Sequence, residues 1–248
     1  MNLQNKNIVI TGASRGLGKE LAKRLSLSKP NLILIARSKD DLDMVQREIQ
    51  EQTGKSPLIV KCDISNENDV NNLTNIIRDK YQHIDVLVNN AGIGISKVLE
   101  NMTNEEMRKQ FEINCFGVIY CIKALLPLVK LSHSGYILNI GSLLSKMSFA
   151  QTSIYSATKF ALSGFTEGFR YEMKKSNIKV GFFMPGPMNT SFQDNKEKDT
   201  LKAPAFLTLA PQKVAMVIEK MIYKRKKRVY MHRWILLLMK IKQMVYSV

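Results

Sequence analysis

The sequence is poor in the residues that hold small secreted folds together. Three cysteines, Cys62, Cys115 and Cys121, are scattered over 248 residues, which gives neither a disulfide framework nor a zinc site. Three histidines, His83, His133 and His232, show no metal-ligand spacing, so no metal is expected. No unbroken apolar run approaches the roughly 18–20 residues that span a bilayer; the most suggestive, Trp234–Met239, has six. The polar opening Met1–Lys6 lacks the apolar stretch of a signal peptide, and these absences together predict a cytoplasmic protein. Thirteen glycines and seven prolines are far fewer than disordered or fibrous chains carry. Acids are also scarce: 21 Asp plus Glu face 37 Lys plus Arg, a net charge of +16. That excess reflects either a solvated basic surface or an anionic partner. Nucleic acid is not expected, because no recognition motif accompanies the scattered charges.

What remains is ordinary globular material, 45% hydrophobic and 23% charged, with room for a buried site. Short apolar runs alternate with longer amphipathic stretches. Strands are expected at Asn7–Thr11, Leu32–Ala36, Leu58–Cys62, Asp85–Asn89, Tyr136–Ile140 and Lys179–Met184, with Val229–Met231 as a last edge strand. Helices are expected at Gly16–Ser28, Lys39–Thr53, Glu67–Tyr81, Asn104–Leu131, Ser153–Ser176 and Pro211–Tyr223. Strands apolar on both faces and separated by helices imply an α/β fold: one doubly wound parallel sheet, Rossmann-type, flanked by helices on both faces. Residues 1–231 read as a single domain and 232–248 as a basic, apolar tail. Pro187–Pro211 reads as a long loop of the kind that often forms a lid.

After the first strand comes Thr11-Gly12-Ala13-Ser14-Arg15-Gly16-Leu17-Gly18. Glycines allow positive φ and let backbone amides approach a phosphate, and the following helix would aim its free N–H groups at it. A glycine pattern alone fits a ligand-free turn equally well; its place between strand and helix favours the phosphate. The spacing Thr-Gly-x3-Gly-x-Gly, Asn89-Asn90-Ala91-Gly92 after the fourth strand, Tyr155-x3-Lys159 and Pro185-Gly186 after the sixth resembles the short-chain dehydrogenase/reductase family. The likeness runs from about residue 5 to 231, with the motifs in the family's order.

Tyr155 and Lys159 share one face of an expected helix. A phenol with reference pKa near 10 is a poor acid–base group at neutral pH, and a neighbouring ammonium is expected to lower it. Ser142 lies 13 residues before Tyr155, and Asn114 lies 28 before Ser142, the separations the family uses. The resemblance implies that Tyr155 exchanges the proton with the carbonyl or hydroxyl oxygen and that Ser142 holds that oxygen. It implies further that Lys159 binds the nicotinamide ribose and tunes Tyr155, and that Asn114 holds a water in a proton relay.

The resemblance also implies the cofactor contacts. Gly12, Ser14, Arg15, Gly16, Leu17 and Gly18 would cradle the phosphates, with Asp63 and Ile64 at the adenine. Asn90, Ala91 and Gly92 would lie along the cofactor side, Pro185 and Gly186 would border the nicotinamide, and Thr190 would bind its carboxamide. At the end of the second strand, an acid would accept from a ribose 2′-hydroxyl. This chain has Ala36, Arg37 and Ser38 there. Arg37 with Arg15 could clamp a 2′-phosphate, which favours NADP(H). Asp63 has a plainer reading as a cap for the turn before the third helix.

Leu143, Leu144, Met147, Phe149, Met188 and Phe192 either face an apolar substrate or belong to the core. The expected activity is NADP(H)-dependent interconversion of a carbonyl and an alcohol, by a homodimer or homotetramer. The alternatives are a non-catalytic, membrane-associated cofactor-binding scaffold or an enzyme like the 3-oxoacyl-carrier-protein reductases. Basic Lys224–Arg228 and the Lys-flanked tail suit peripheral contact with the inner face of a membrane; packing on the protein itself or on a second subunit fits equally.

Overall fold

The computed structural model describes residues 1–188 and 207–231. Seven strands form its sheet: β1 (Asn7–Thr11), β2 (Asn31–Ala36), β3 (Leu58–Lys61), β4 (Val86–Asn89), β5 (Tyr136–Ile140), β6 (Lys179–Met184) and β7 (Arg228–Tyr230). Their order is β3-β2-β1-β4-β5-β6-β7, and every pair is parallel. Alternation along each strand feeds two cores. Ile8 and Ile10 of β1 join Leu21 and Leu25 of α1 (Gly16–Ser26), Leu42 and Val45 of α2 (Lys39–Thr53), and Ile218 of α7 (Pro211–Lys224). Val9 joins the opposite core, with Leu73 of α3 (Glu67–Lys80), Leu125 of α5 (Gly117–Lys130) and Leu162 of α6 (Ser153–Glu172). Each such fully buried aliphatic side chain contributes roughly 1.5–3 kcal/mol.

Chain direction across the sheet reverses between β1 and β4. Val9 pairs with Ile33 on one side and with Leu87 on the other. Crossovers from this point leave toward opposite edges, so the loops after β1 and β4 diverge and open a crevice at the C-terminal ends of the strands.

Element boundaries move by a residue or two from expectation, and one helix differs in kind. The expected helix over 104–131 is α4 (Asn104–Phe111), a π turn at Glu112–Phe116, and α5. By length and composition the continuous Asn104–Lys130 segment is apolar enough to cross a membrane, contrary to the sequence expectation. More than half of that window is buried in the protein, as in a core helix. Of the long loop after β6, Met188 and Leu209 form a parallel bridge; residues 189–206 lie outside the described residues, and so does the tail at 232–248.

The basic run at 224–228 is partly structural. Arg225 Nη2 donates to Gly135 O at 2.8 Å and Asn177 O at 3.0 Å. Arg228 pairs with Glu167 at 2.7 Å. Lys224, Lys226 and Lys227 are the exposed remainder.

Candidate active site

A cleft of about 730 Å³ follows the crevice at the strand ends. Its floor at one end is the β1–α1 turn. Gly12 sits at φ +66°, a conformation that side chains rarely adopt, and a Cβ there would come within 2.7 Å of Ala91 Cα. At Gly18 a Cβ would collide with the Gly12 carbonyl oxygen and lie 2.6 Å from Asn90 Nδ2. The turn is therefore pressed against the β4 loop, and Asn90 staples the two. Its Nδ2 donates to Thr11 O at 3.0 Å and Gly12 O at 3.1 Å, while Thr11 Oγ1 accepts from the Asn90 and Ala91 N–H groups at 3.0 and 3.1 Å. Thr11 and its role were not singled out in the sequence.

Helices α2, α3 and α4 are capped by Ser38, Asn66 and Thr103 and carry acids in their first turns. Helix α1 has no side-chain cap and no acid in its first turn. Its unsatisfied N–H groups and positive dipole end face the glycine turn, which fits a pyrophosphate. The residues present thus suit a dinucleotide on the chain's own geometry.

Of the expected cofactor residues, Ser14, Arg15, Gly16 and Leu17 line this cleft, as do Arg37, Ser38, Asp63, Ile64, Asn90, Ala91, Gly92, Pro185 and Gly186. Gly18 supports the turn from behind and does not line it. Thr190 and Phe192 lie outside the described residues. Arg37 is half-exposed, with Nη1 3.9 Å from Asp63 Oδ2. So long and wet an ion pair is worth little, and it leaves the guanidinium available to an incoming anion. Asp63 caps the turn before α3, where Oδ1 accepts from the Ser65 N–H at 3.0 Å and hydroxyl at 2.6 Å, while Oδ2 faces Arg37.

At the other end of the cleft Ser142, Tyr155 and Lys159 come together. Ser142 follows β5 and caps a short 3-10 turn; its Oγ accepts from the Leu144 N–H at 3.1 Å. That leaves the hydroxyl proton free to point elsewhere, and the side chain is hydrogen-bonded to Tyr155. One turn on from Tyr155 in α6, Lys159 is 4% exposed. Its Nζ lies 5.7 Å from the Tyr155 ring centroid and donates to Ile140 O at 3.4 Å.

The expected depression of the Tyr155 pKa is not what this environment produces. Burial pushes the phenol up to about 12, against a lowering by the Ser142 hydrogen bond. The same burial pushes the Lys159 ammonium down to about 8. Both charged forms are disfavoured by desolvation, which outweighs their mutual attraction.

Asn114 does not line the cleft. It sits fully buried in the π turn and grips the loop after β4. Oδ1 accepts from Ile93 N–H at 2.8 Å, and Nδ2 donates to Ile93 O at 2.8 Å and Thr158 Oγ1 at 3.1 Å. Sequence reasoning missed Gln110, one turn earlier and also wholly buried, whose Oε1 accepts from the Ile95 N–H at 3.1 Å. Nothing in the polar stretch Asn104-Glu105-Glu106-Met107-Arg108-Lys109 marks its neighbour as a core residue.

Comparison with known proteins agrees with this geometry. The family model described as short chain dehydrogenase matches residues 6–201. The chain is 35% identical over 201 residues to an uncharacterized oxidoreductase of Staphylococcus saprophyticus, covering 80% of each chain. It is 37% identical over 194 residues to a 3-ketodihydrosphingosine reductase of Bacteroides thetaiotaomicron, covering 78% of this chain and 68% of that one. The crystal structure of an alcohol dehydrogenase from the archaeon Thermococcus sibiricus, complexed with 5-hydroxy-NADP, superposes with a TM-score of 0.83 at 27% identity, over 91% of this chain and 95% of that one. With the family model matching most of the chain and relatives of 35–37% identity covered over two thirds or more of their length, the protein belongs to the short chain dehydrogenase family of oxidoreductases.

Proposed function

We propose that the protein reduces a carbonyl on an apolar substrate to an alcohol, or runs the reverse reaction, with NADP(H). The observation that carries this reading is the meeting of Ser142, Tyr155 and Lys159 in the same cleft as the uncapped glycine turn. When bound, the nicotinamide supplies or accepts the hydride. The chain's own groups handle the oxygen and its proton. Ser142, with its Oγ already accepting from Leu144, donates toward the substrate oxygen. Tyr155 stays protonated at neutral pH because burial keeps its pKa high, so it holds the proton that the developing alkoxide needs. Lys159, as the cation, stabilises the phenolate left behind. Asn114 acts one layer back by fixing the Ile93 wall. All four side chains are present, which disfavours a non-catalytic scaffold.

The preference for NADP(H) rests on Arg15 and Arg37, exposed at the cofactor end, and on Ala36 where an acid would repel a phosphate. The 5-hydroxy-NADP bound by the archaeal relative supports the same choice. Fluorescence titration tests it: NADPH should bind at least tenfold tighter than NADH, about 1.4 kcal/mol, within reach of one charge-assisted contact. Equal affinities at moderate salt would overturn the cofactor assignment. Absence of turnover across a panel of apolar ketones and alcohols would overturn the reaction.

A further inference from the structure

We infer that Ser96 determines specificity, by hydrogen-bonding a second oxygen on a substrate whose frame is otherwise apolar; this rests on the reductase reading above. Beyond Ser142 and Tyr155 the cleft is walled by apolar residues, among them Leu143, Leu144, Met147, Phe149 and Met188. Two further polar side chains interrupt that wall, Ser96 and Thr152. Thr152 is committed to its own turn: Oγ1 donates to Phe149 O at 2.9 Å and accepts from Phe149 N–H at 3.0 Å. Ser96 is different. Its side chain is half-buried and makes no hydrogen bond among the described residues.

The segment that carries it is held on alternate residues. Ile93 is clamped through both backbone groups by Asn114, Ile95 N–H by Gln110, and Lys97 N–H by Gln151 O at 3.0 Å. Ile95 is buried and Lys97 reaches away to Glu106 at 2.6 Å, while Ile93, Gly94 and Ser96 line the cleft. The Lys97–Gln151 bond also docks this segment against Phe149–Thr152, just before the Tyr155 helix, which puts Ser96 on the substrate side. Gln151 itself is held at φ +65°, a conformation that costs a non-glycine residue energy and persists only where its surroundings impose it. Among the described residues, the Ser96 hydroxyl is thus presented unpaired, on a held backbone, to an apolar chamber. Such a group selects a ligand oxygen, because a substrate lacking it leaves the hydroxyl unpaired.

The substrate class is accordingly a hydroxy- or oxo-substituted aliphatic ketone. The test compares 2-octanone with hydroxy-2-octanones bearing the hydroxyl one, two or three carbons from the carbonyl, with NADPH, in wild type, Ser96→Ala and Ser96→Thr. At least one hydroxylated ketone should be preferred by wild type in kcat/KM by about tenfold. Ser96→Ala should abolish that preference by lowering kcat/KM for the preferred hydroxylated ketone about tenfold relative to 2-octanone, and Ser96→Thr, which keeps the hydroxyl, should restore it. If 2-octanone is reduced but no hydroxylated ketone is preferred, or the preference survives Ser96→Ala, the inference fails and the reductase reading stands. If NADPH binds and no ketone is reduced, both fall together.

Discussion

Replacing Asn114 by alanine separates a backbone clamp from a catalytic group. The substitution deletes three hydrogen bonds at 2.8, 2.8 and 3.1 Å. Two of them satisfy the backbone N–H and C=O of Ile93, and a stranded polar group costs about 1–3 kcal/mol. Thr158 loses little, since its own hydroxyl still donates to Tyr155 O at 2.7 Å. Water entering from the cleft would rescue part of the loss at Ile93, so the expected cost is about 3 kcal/mol, a large part of a typical stability. Urea denaturation should show a lower midpoint with unchanged slope. Amide exchange at Ile93 should speed up more than at Val88, whose N–H belongs to the central sheet. A loss under about 0.5 kcal/mol, within the range of an unremarkable surface change, would refute the clamp. So would unchanged exchange at Ile93.

Tyr155→Phe should keep the fold and NADPH affinity but lose turnover by at least a hundredfold, since only the proton donor is gone; near-full activity on a validated ketone would make the assignment wrong. In the wild type, kcat/KM for reduction should be level below pH 8 and fall as pH rises through about 8, because Lys159 loses its charge there while Tyr155 remains protonated. A profile flat to pH 10 would contradict those environments. At the opposite edge of the sheet, Asp85 accepts from the Asn7 N–H at 2.9 Å, Ser132 Oγ at 2.8 Å and Lys6 Nζ at 3.2 Å. Burial raises its pKa, but these donors outweigh that and hold it below the ordinary carboxylate value. Its stabilisation is thus complete above about pH 4 and lost as pH falls through the lower folded value. Asp85→Ala should cost about 3–5 kcal/mol at pH 7 and flatten the acid limb of stability measured by urea midpoints; an unchanged limb would exclude this carboxylate as its source.

Much of this was legible in the sequence because apolar alternation and motif order are local signals. Ile8-Val9-Ile10 and Leu32-Ile33-Leu34-Ile35 read as two-faced strands, and they are buried on both faces. The glycine turn and the Ser142, Tyr155 and Lys159 positions were singled out by motif spacing together with the family resemblance, and they fall in one cleft. Features that depend on a distant partner were not legible. The π turn interrupts α4 and α5 where Asn114 meets Ile93, twenty-one residues earlier. Arg225 looked like one charge in a basic run until its guanidinium met carbonyls on two other loops. The Tyr155 expectation failed for the same reason: a sequence shows which charges are near, but desolvation depends on everything packed around them.

The division of labour along the strands explains why the site lies where it does. At the N-terminal edge Asp85 gathers β1, β4 and the turn before β5 with its donors satisfied. At the C-terminal edge, among the described residues, the chain leaves two groups unspent: the uncapped start of α1 and the Ser96 hydroxyl. It also tolerates positive φ at the non-glycine Gln151. Each is a cost to the isolated fold, since an unsatisfied donor or a strained residue lowers stability by about 1–3 kcal/mol. A ligand that satisfies those donors recovers that free energy on binding. The rigid sheet keeps them from relaxing onto one another, because Asn90, Asn114 and Gln110 fix the loops with buried hydrogen bonds of their own. The positions that look least favourable for folding are therefore the ones where the chain can discriminate among ligands.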